Sequence, residues 1–346
     1  MSHRHHGPTL LAVAAVLAVA LTGTAVAATP SSAPVSNAAA NTGKRSAATD
    51  ARSSSVVRYW TAERMRTAVP IEDKLDTPTI NTSTPASEKG APGRVASAAP
   101  PALLQKGLGQ AATQLLGAGS AEWPGSSTSP PGSTSGKVFF TADDGLNYVC
   151  SGSTVNSGGK NLVFTAGHCV HGGGAGRHYH TNWAFVPGYR DNVRPYGTWT
   201  ARQLWTLNGW SNSADRTYDI GAAVMNTDGL GQRIVNRVGG QGIEWNWPLA
   251  QSVYQFGYPQ RTPFNGERLR YCTGTTFSDG GQEGINCNMT EGASGGPWLD
   301  DLSGTLGWLD SVNSWVFWDS NGVRFKWNGP YFGNGAKNLY NAVANL

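Results

Sequence analysis

Three short segments carry residue types whose combination could break an acyl bond. Thr165-Ala166-Gly167-His168-Cys169 follows the apolar run Leu162-Val163-Phe164, which would leave the His168 imidazole at a strand end. Tyr218-Asp219-Ile220-Gly221-Ala222-Ala223-Val224 sets a carboxylate at the head of an apolar strand, where burial demands a partner. Gly292-Ala293-Ser294-Gly295-Gly296-Pro297 surrounds a hydroxyl with glycines, which allow a tight turn and close approach of backbone N–H groups. A serine becomes a nucleophile when a neutral imidazole takes its proton, a carboxylate fixes that imidazole's tautomer, and N–H donors receive the oxyanion. Ser294, His168 and Asp219 can fill the first three roles. Asp215 and Asp228 compete for the carboxylate role, and Asp219 is preferred because it directly heads its strand. The remaining histidines of this half, His171, His178 and His180, read as solvated loop residues, since no His-Glu-x-x-His pattern accompanies them. No metal or cofactor motif is found.

The elements that must hold these residues read as strands. From Lys137 onward the chain runs in short stretches rich in Val, Phe, Tyr, Trp and Thr, punctuated by Gly and Asn: 147–153, 161–165, 196–206, 218–225, 251–257 and 304–318. Many short strands predict an all-β sandwich or barrel. Ala336, Leu339, Tyr340, Val343 and Ala344 recur at helical spacing after Asn334-Gly335 and predict one C-terminal helix.

The N-terminal third is of another character. Arg4, an apolar run from Leu10 to about Leu21, and Ala25-Val26-Ala27 read as a signal peptide over 1–27, cleaved after Ala27. Residues 28–136 are dominated by Ala, Ser, Thr and Pro, with the composition of an exposed linker over 125–136. Short helices are expected around Tyr59–Met65 and Leu103–Leu116, with disorder elsewhere. A propeptide and an inert stalk fit this composition equally well. The division is therefore 1–27, 28–136 and 137–346. A formal charge of +4 without a dense basic block gives nucleic-acid binding little support. Once the signal is removed, no apolar stretch is long enough to span a bilayer, and a secreted, extracellular protein is expected.

In the order His, Asp, Ser, the three segments resemble the signature of the trypsin-like (chymotrypsin-like) serine peptidases, and specifically small bacterial secreted members related to glutamyl endopeptidases. Cys150-Ser151-Gly152-Ser153 and Gly257-Tyr258-Pro259 resemble that subgroup too. The resemblance spans about residues 137–346. It implies two six-stranded antiparallel β-barrels followed by the C-terminal helix, and a secreted serine endopeptidase, a monomer, acting on protein or peptide substrates and made as a zymogen with its own propeptide as partner. Ser294 would be nucleophile, His168 general base and Asp219 its orienter, with the N–H groups of Gly292 and Ser294 as oxyanion hole. The four cysteines allow three pairings; short loop closure, and the bridge beside the catalytic His in that family, favour Cys150–Cys169 and Cys272–Cys287.

Two positions depart from trypsin. Ala293 stands where trypsin-like zymogens carry an Asp that pairs with the freed N-terminus, so any latency must come from the N-terminal region covering or distorting the site. Asn288, beside Met289, stands where trypsin has its specificity Asp, and no His follows Ser294 to serve a glutamyl pocket. The expected substrate pocket of Asn288, Met289, Asn313 and Ser314 is uncharged, which argues for an uncharged residue before the cleaved bond. The competing reading from another class is a non-catalytic binding protein on the same scaffold.

Overall fold

Val, Phe and Tyr runs broken by glycine turns form fifteen of the strands in the C-terminal two thirds of the chain. The computed structural model describes Met1 and residues 34–36, 46–75, 89–101 and 119–346. The expected signal peptide and the expected helix at Leu103–Leu116 lie outside the described residues.

The first half contains β1 (Ser135–Thr141), β2 (Asn147–Val155), β3 (Leu162–Thr165), β4 (Thr181–Pro187), β5 (Trp199–Leu207) and β6 (Gly221–Met225). All pair antiparallel in the order β5-β6-β3-β2-β1-β4, and β4 returns to β5, so the sheet closes into a six-stranded barrel without a free edge. The second half contains β7 (Gly242–Trp245), β8 (Ser252–Gly257), β9 (Arg270–Thr275), β10 (Phe277–Asp279), β11 (Gln282–Asn286), β12 (Pro297–Ser303), β13 (Leu306–Val312), β14 (Trp315–Trp318) and β15 (Arg324–Gly329). It consists of a sheet ordered β7-β13-β12-β8-β9 and a sheet ordered β10-β11-β15-β14. Val253, Cys272, Ile285, Met289, Trp298, Val316 and Trp327 form a buried cluster of this half. The expected all-β, chymotrypsin-like architecture is what the chain adopts. The C-terminal helix, Asn334–Val343, buries Ala336, Leu339, Tyr340 and Val343 as its spacing predicts.

The described part of the N-terminal region is built into this frame. Val69–Pro70 runs parallel to β2, Gly93–Val95 lies antiparallel against β7, and Ala121–Glu122 lies antiparallel against β9. The last two cover both edges of the β7–β9 sheet. A helix at Ala62–Thr67 starts from Thr61, whose side chain caps the Arg64 N–H, and buries Met65. Trp60 packs on Phe139 with ring centroids 5.4 Å apart and donates its indole N–H to Asn182 O at 2.6 Å. This explains why Val138, Phe139 and Phe140 are all fully buried although consecutive residues of a strand point to opposite faces. The barrel's outer face is apolar because the N-terminal region covers it.

The linker expected over 125–136 is instead buried from Pro130 onward. Two of its hydroxyls are satisfied in place: Ser133 Oγ donates to Val238 O at 2.8 Å and Thr134 Oγ1 to Pro131 O at 3.0 Å. The disulfides are Cys150–Cys169 and Cys272–Cys287. The first ties β2 to the turn after β3, across 19 positions. A Cys150→Ser, Cys169→Ser double variant is expected to lose about 2–4 kcal/mol of unfolding free energy. An unchanged midpoint in urea would contradict a structural role for this bridge.

Candidate active site

The site lies where the ends of β3 and β6 meet the turn before β12. β3 ends in a single 3₁₀ turn, Gly167–Cys169, that carries His168; the 3₁₀ turn Arg216–Tyr218 delivers Asp219 just before β6. The His168 backbone N–H donates to Asp219 Oδ1 at 2.7 Å, and Nδ1 lies 2.7 Å from Asp219 Oδ2. Ser314 Oγ donates to the same Oδ2 at 2.6 Å. Asp219 is wholly buried. Burial alone would raise its pKa, but the His168 ring, the hydrogen bonds from His168 and Ser314, and the Arg216 guanidinium together hold it below the ordinary carboxylate value. A carboxylate so placed fixes the ring with Nδ1 protonated and leaves Nε2 free to accept a proton.

Ser294 sits in a turn that glycine makes possible. Gly292 has φ +93° and Gly295 φ +77°. A Cβ on Gly295 would lie 2.0 Å from Thr165 Oγ1 and 2.5 Å from Ser151 O. Asn313 fixes this turn from below. Its Nδ2 donates to Ala293 O at 2.7 Å and Phe256 O at 2.9 Å, while its Oδ1 accepts from Trp298 Nε1 at 2.7 Å and Gln255 Nε2 at 2.5 Å.

A fourth residue reaches the site, from the N-terminal region. Glu72, in the short turn Ile71–Asp73, accepts a short hydrogen bond from Ser294 Oγ on Oε1, and the same oxygen accepts from the Gly292 N–H at 3.1 Å. Its carboxyl thereby engages the N–H of Gly292, one of the two expected oxyanion donors. His168 Nε2 is buried without a hydrogen-bond partner among the described residues, because the serine hydroxyl is turned to Glu72. Burial raises the Glu72 pKa against the lowering pull of His168, Ser294 and the Gly292 N–H. Neighbouring contacts hold the segment: Gln260 Nε2 donates to Ala68 O at 2.7 Å, and Arg261 Nε donates to Asp73 Oδ1 at 3.0 Å.

The expected pocket residues fall in different places. Asn288 is half-buried and its Oδ1 accepts the Ser120 N–H at 2.7 Å, while Met289 is packed in the core of the second half. Asn313 braces the nucleophile turn and Ser314 binds Asp219, so both side chains are already engaged. Two of the three histidines read as solvated loop residues are buried. His171 accepts from the Gly173 N–H at 3.0 Å. His180 stacks on Phe140 at 4.3 Å, its Nε2 lies 3.0 Å from His168 O, and burial lowers its pKa to about 3, so its ring is neutral. His178 is exposed.

No family model matches the chain. The crystal structure of the protease Anisep from Arthrobacter nicotinovorans shares 40% sequence identity, a TM-score of 0.59, and a match covering 64% of this chain and 99% of that one. The chain belongs to the chymotrypsin-like serine protease family. A thermostable serine protease from an extremophilic microorganism, AL20, agrees at 38% identity and TM-score 0.58 over 61% of this chain and 97% of that one. A Glu endopeptidase shares the fold of this serine protease at 19% identity and TM-score 0.51. An extracellular metalloprotease of Bacillus subtilis (strain 168) is 37% identical over 79 residues, and the chain spans about a quarter of that relative's length, 24%.

The lowered Asp219 pKa makes acid stability a test of this geometry. Stability from Asp219 is present above its unfolded value near 3.8 and is lost as pH falls through its lower folded value. Ser314→Ala leaves a buried carboxylate short of one donor and is expected to cost about 1–3 kcal/mol at neutral pH. Asp219→Asn should flatten the loss of stability below pH 4. Denaturant titrations from pH 7 to pH 2 check both, and a slope in Asp219→Asn equal to the parent's would contradict the assignment.

Proposed function

We propose that the chain is a secreted serine endopeptidase, made as a latent precursor, that hydrolyses peptide bonds through Ser294, His168 and Asp219. The observation that carries this reading is the bonded line from Ser314 through the buried Asp219 to His168, ending at an Nε2 left free to accept a proton. Ser294 would attack the scissile carbonyl carbon as His168 Nε2 takes the hydroxyl proton. The tetrahedral oxyanion would be received by N–H groups of the Gly292 turn. His168 would return the proton to the leaving amine, giving an acyl-enzyme on Ser294, and water activated by His168 would release the acid. Asp219 remains ionised throughout.

Glu72 supports the latent-precursor part. While its carboxyl holds Ser294 Oγ and the Gly292 N–H, the hydroxyl cannot donate to His168 and no carbonyl oxygen can enter. This replaces the Asp-dependent switch that Ala293 rules out. Residues 28–136 act on this reading as a propeptide, with processing between about Ser126 and Lys137. Part of that interval is buried, so the cut requires local opening.

Two outcomes are expected. Ser294→Ala in the processed protein should lose at least about 10⁴-fold of its activity on an unfolded protein substrate, given the scale of nucleophile removal in other serine peptidases. Retained hydrolysis would sink the mechanism. In the unprocessed chain, Glu72→Ala removes hydrogen bonds worth about 1–3 kcal/mol and should speed reaction with a fluorophosphonate probe by roughly 5- to 100-fold. Equal rates in Glu72→Ala and its parent would show that the carboxyl does not block the site.

A further inference from the structure

The outer edge of β7 is covered by a strand from the N-terminal region. Gly93–Val95 adds there as an antiparallel strand, with Arg94 opposite Glu244 and Val95 opposite Ile243. Arg94 Nε donates to Glu244 Oε2 at 2.5 Å, and Nη2 donates to Asp300 Oδ2 at 3.0 Å. The guanidinium carbon lies 3.7 Å from the ring centroid of Trp247 and 4.5 Å from that of Trp308. Two carboxylates with two indole rings suit a planar, forked cation better than a compact ammonium.

The site is built into the protease and is not a chance surface pair. Glu244 is fully buried, and its Oε1 has no partner among the described residues. Asp310 and Glu283 are buried too; burial and Asp300 raise Asp310, and burial and Asp310 raise Glu283, above the ordinary carboxyl range. The cations acting on Glu244, Asp300, Asp310 and Glu283 are Arg94 and Lys89, both from the N-terminal region. When that region leaves, Glu244 and Asp300 lose the donors of Arg94 and the two indoles lose their cation, which leaves the edge open to another forked donor. The neighbouring backbone is also matched. Ala91 O accepts from Asn246 Nδ2 at 3.0 Å, Ala96 O accepts from Asn156 Nδ2 at 2.6 Å, and Ala98 and Gly240 exchange backbone hydrogen bonds of 2.8 Å. A Cβ on Gly93 would lie 2.5 Å from the Trp245 indole, so the edge selects glycine before the arginine.

We propose that Glu244, Asp300, Trp247 and Trp308 form a guanidinium-binding exosite that reads an extended Gly-Arg segment laid along β7, and that residues 90–98 occupy it as the anchor holding the propeptide on the protease after the chain is cut. Sheet pairing supplies affinity and the arginine supplies selectivity. The anchor is separate from Glu72: one residue blocks chemistry, the other retains the blocking segment. The physiological meaning rests on the precursor reading above, whereas the binding itself needs no catalysis.

The test uses the full Ser294→Ala chain with a site-specific cleavage sequence inserted after Gln105, so that failure of the proteolytic mechanism cannot affect the result. After the cut, the N-terminal fragment is expected to co-elute with the protease portion on non-denaturing gel filtration. A synthetic peptide of residues 90–98 should displace it at a concentration at least roughly tenfold below that needed for the Arg94→Ala peptide, with the Arg94→Lys peptide between them. Equal displacement by all three peptides, or separation of the fragments without competitor, overturns the proposal. Because the variants are in the peptide, misfolding of the chain cannot mimic either outcome.

Discussion

The Asp219 carboxylate is the constraint on which the arrangement turns. An ionised group with no solvent exposure persists only when its acceptor sites are filled, and here they are filled by the His168 backbone, the His168 ring and Ser314. These donors come from both halves of the molecule: His168 from the end of β3 and Ser314 from the loop between β13 and β14. Satisfying one buried charge therefore brings the halves together and orients the imidazole in the same step. The Cys150–Cys169 bridge and the Asn313 brackets hold the flanking turns, so the reactive groups inherit the rigidity of the sheets.

Against that fixed frame the N-terminal region is a set of additions to an apolar barrel face, two sheet edges, the Gly292 turn and a cluster of carboxyls. Trp60, the strand Gly93–Val95, Ala121–Glu122, Glu72 and Arg94 each meet one of these. A protease portion that evolved alone would be expected to cover such liabilities itself, by closure or charge at edges and polar residues on outer faces. Their pairing with the N-terminal region makes the two parts one packed unit.

Much of the fold was legible in the sequence, because strands and their turns are local signals. The strands read at 147–153, 161–165 and 251–257 fall within two residues of those at Asn147–Val155, Leu162–Thr165 and Ser252–Gly257, and the C-terminal helix stands where its apolar spacing put it. What escaped was set by distance. Glu72 lies 222 positions from Ser294, in a stretch whose composition suggests only a leader, and an isolated Ile-Glu-Asp turn carries no signal. Ser314 was expected in a substrate pocket, and its bond to Asp219, 95 positions away, depends on how β13 and β14 lie against the first barrel. The Ser- and Gly-rich stretch at 130–136 reads as solvated until Ser133 and Thr134 find backbone acceptors, and His180 reads as a loop residue until Phe140 stacks on it. Gly93-Arg94-Val95, flanked by small residues, carries the local pattern of the edge strand it forms.

Trapping the covalent intermediate tests the central claim most directly. The processed protein would be mixed with a slowly deacylating ester substrate, quenched in acid, and its peptides mapped by mass spectrometry. The account predicts one acyl group per chain, on the peptide containing Ser294, appearing in an initial burst. A protein that turns over the ester without acquiring an acyl group, or that carries it on another residue, would contradict it.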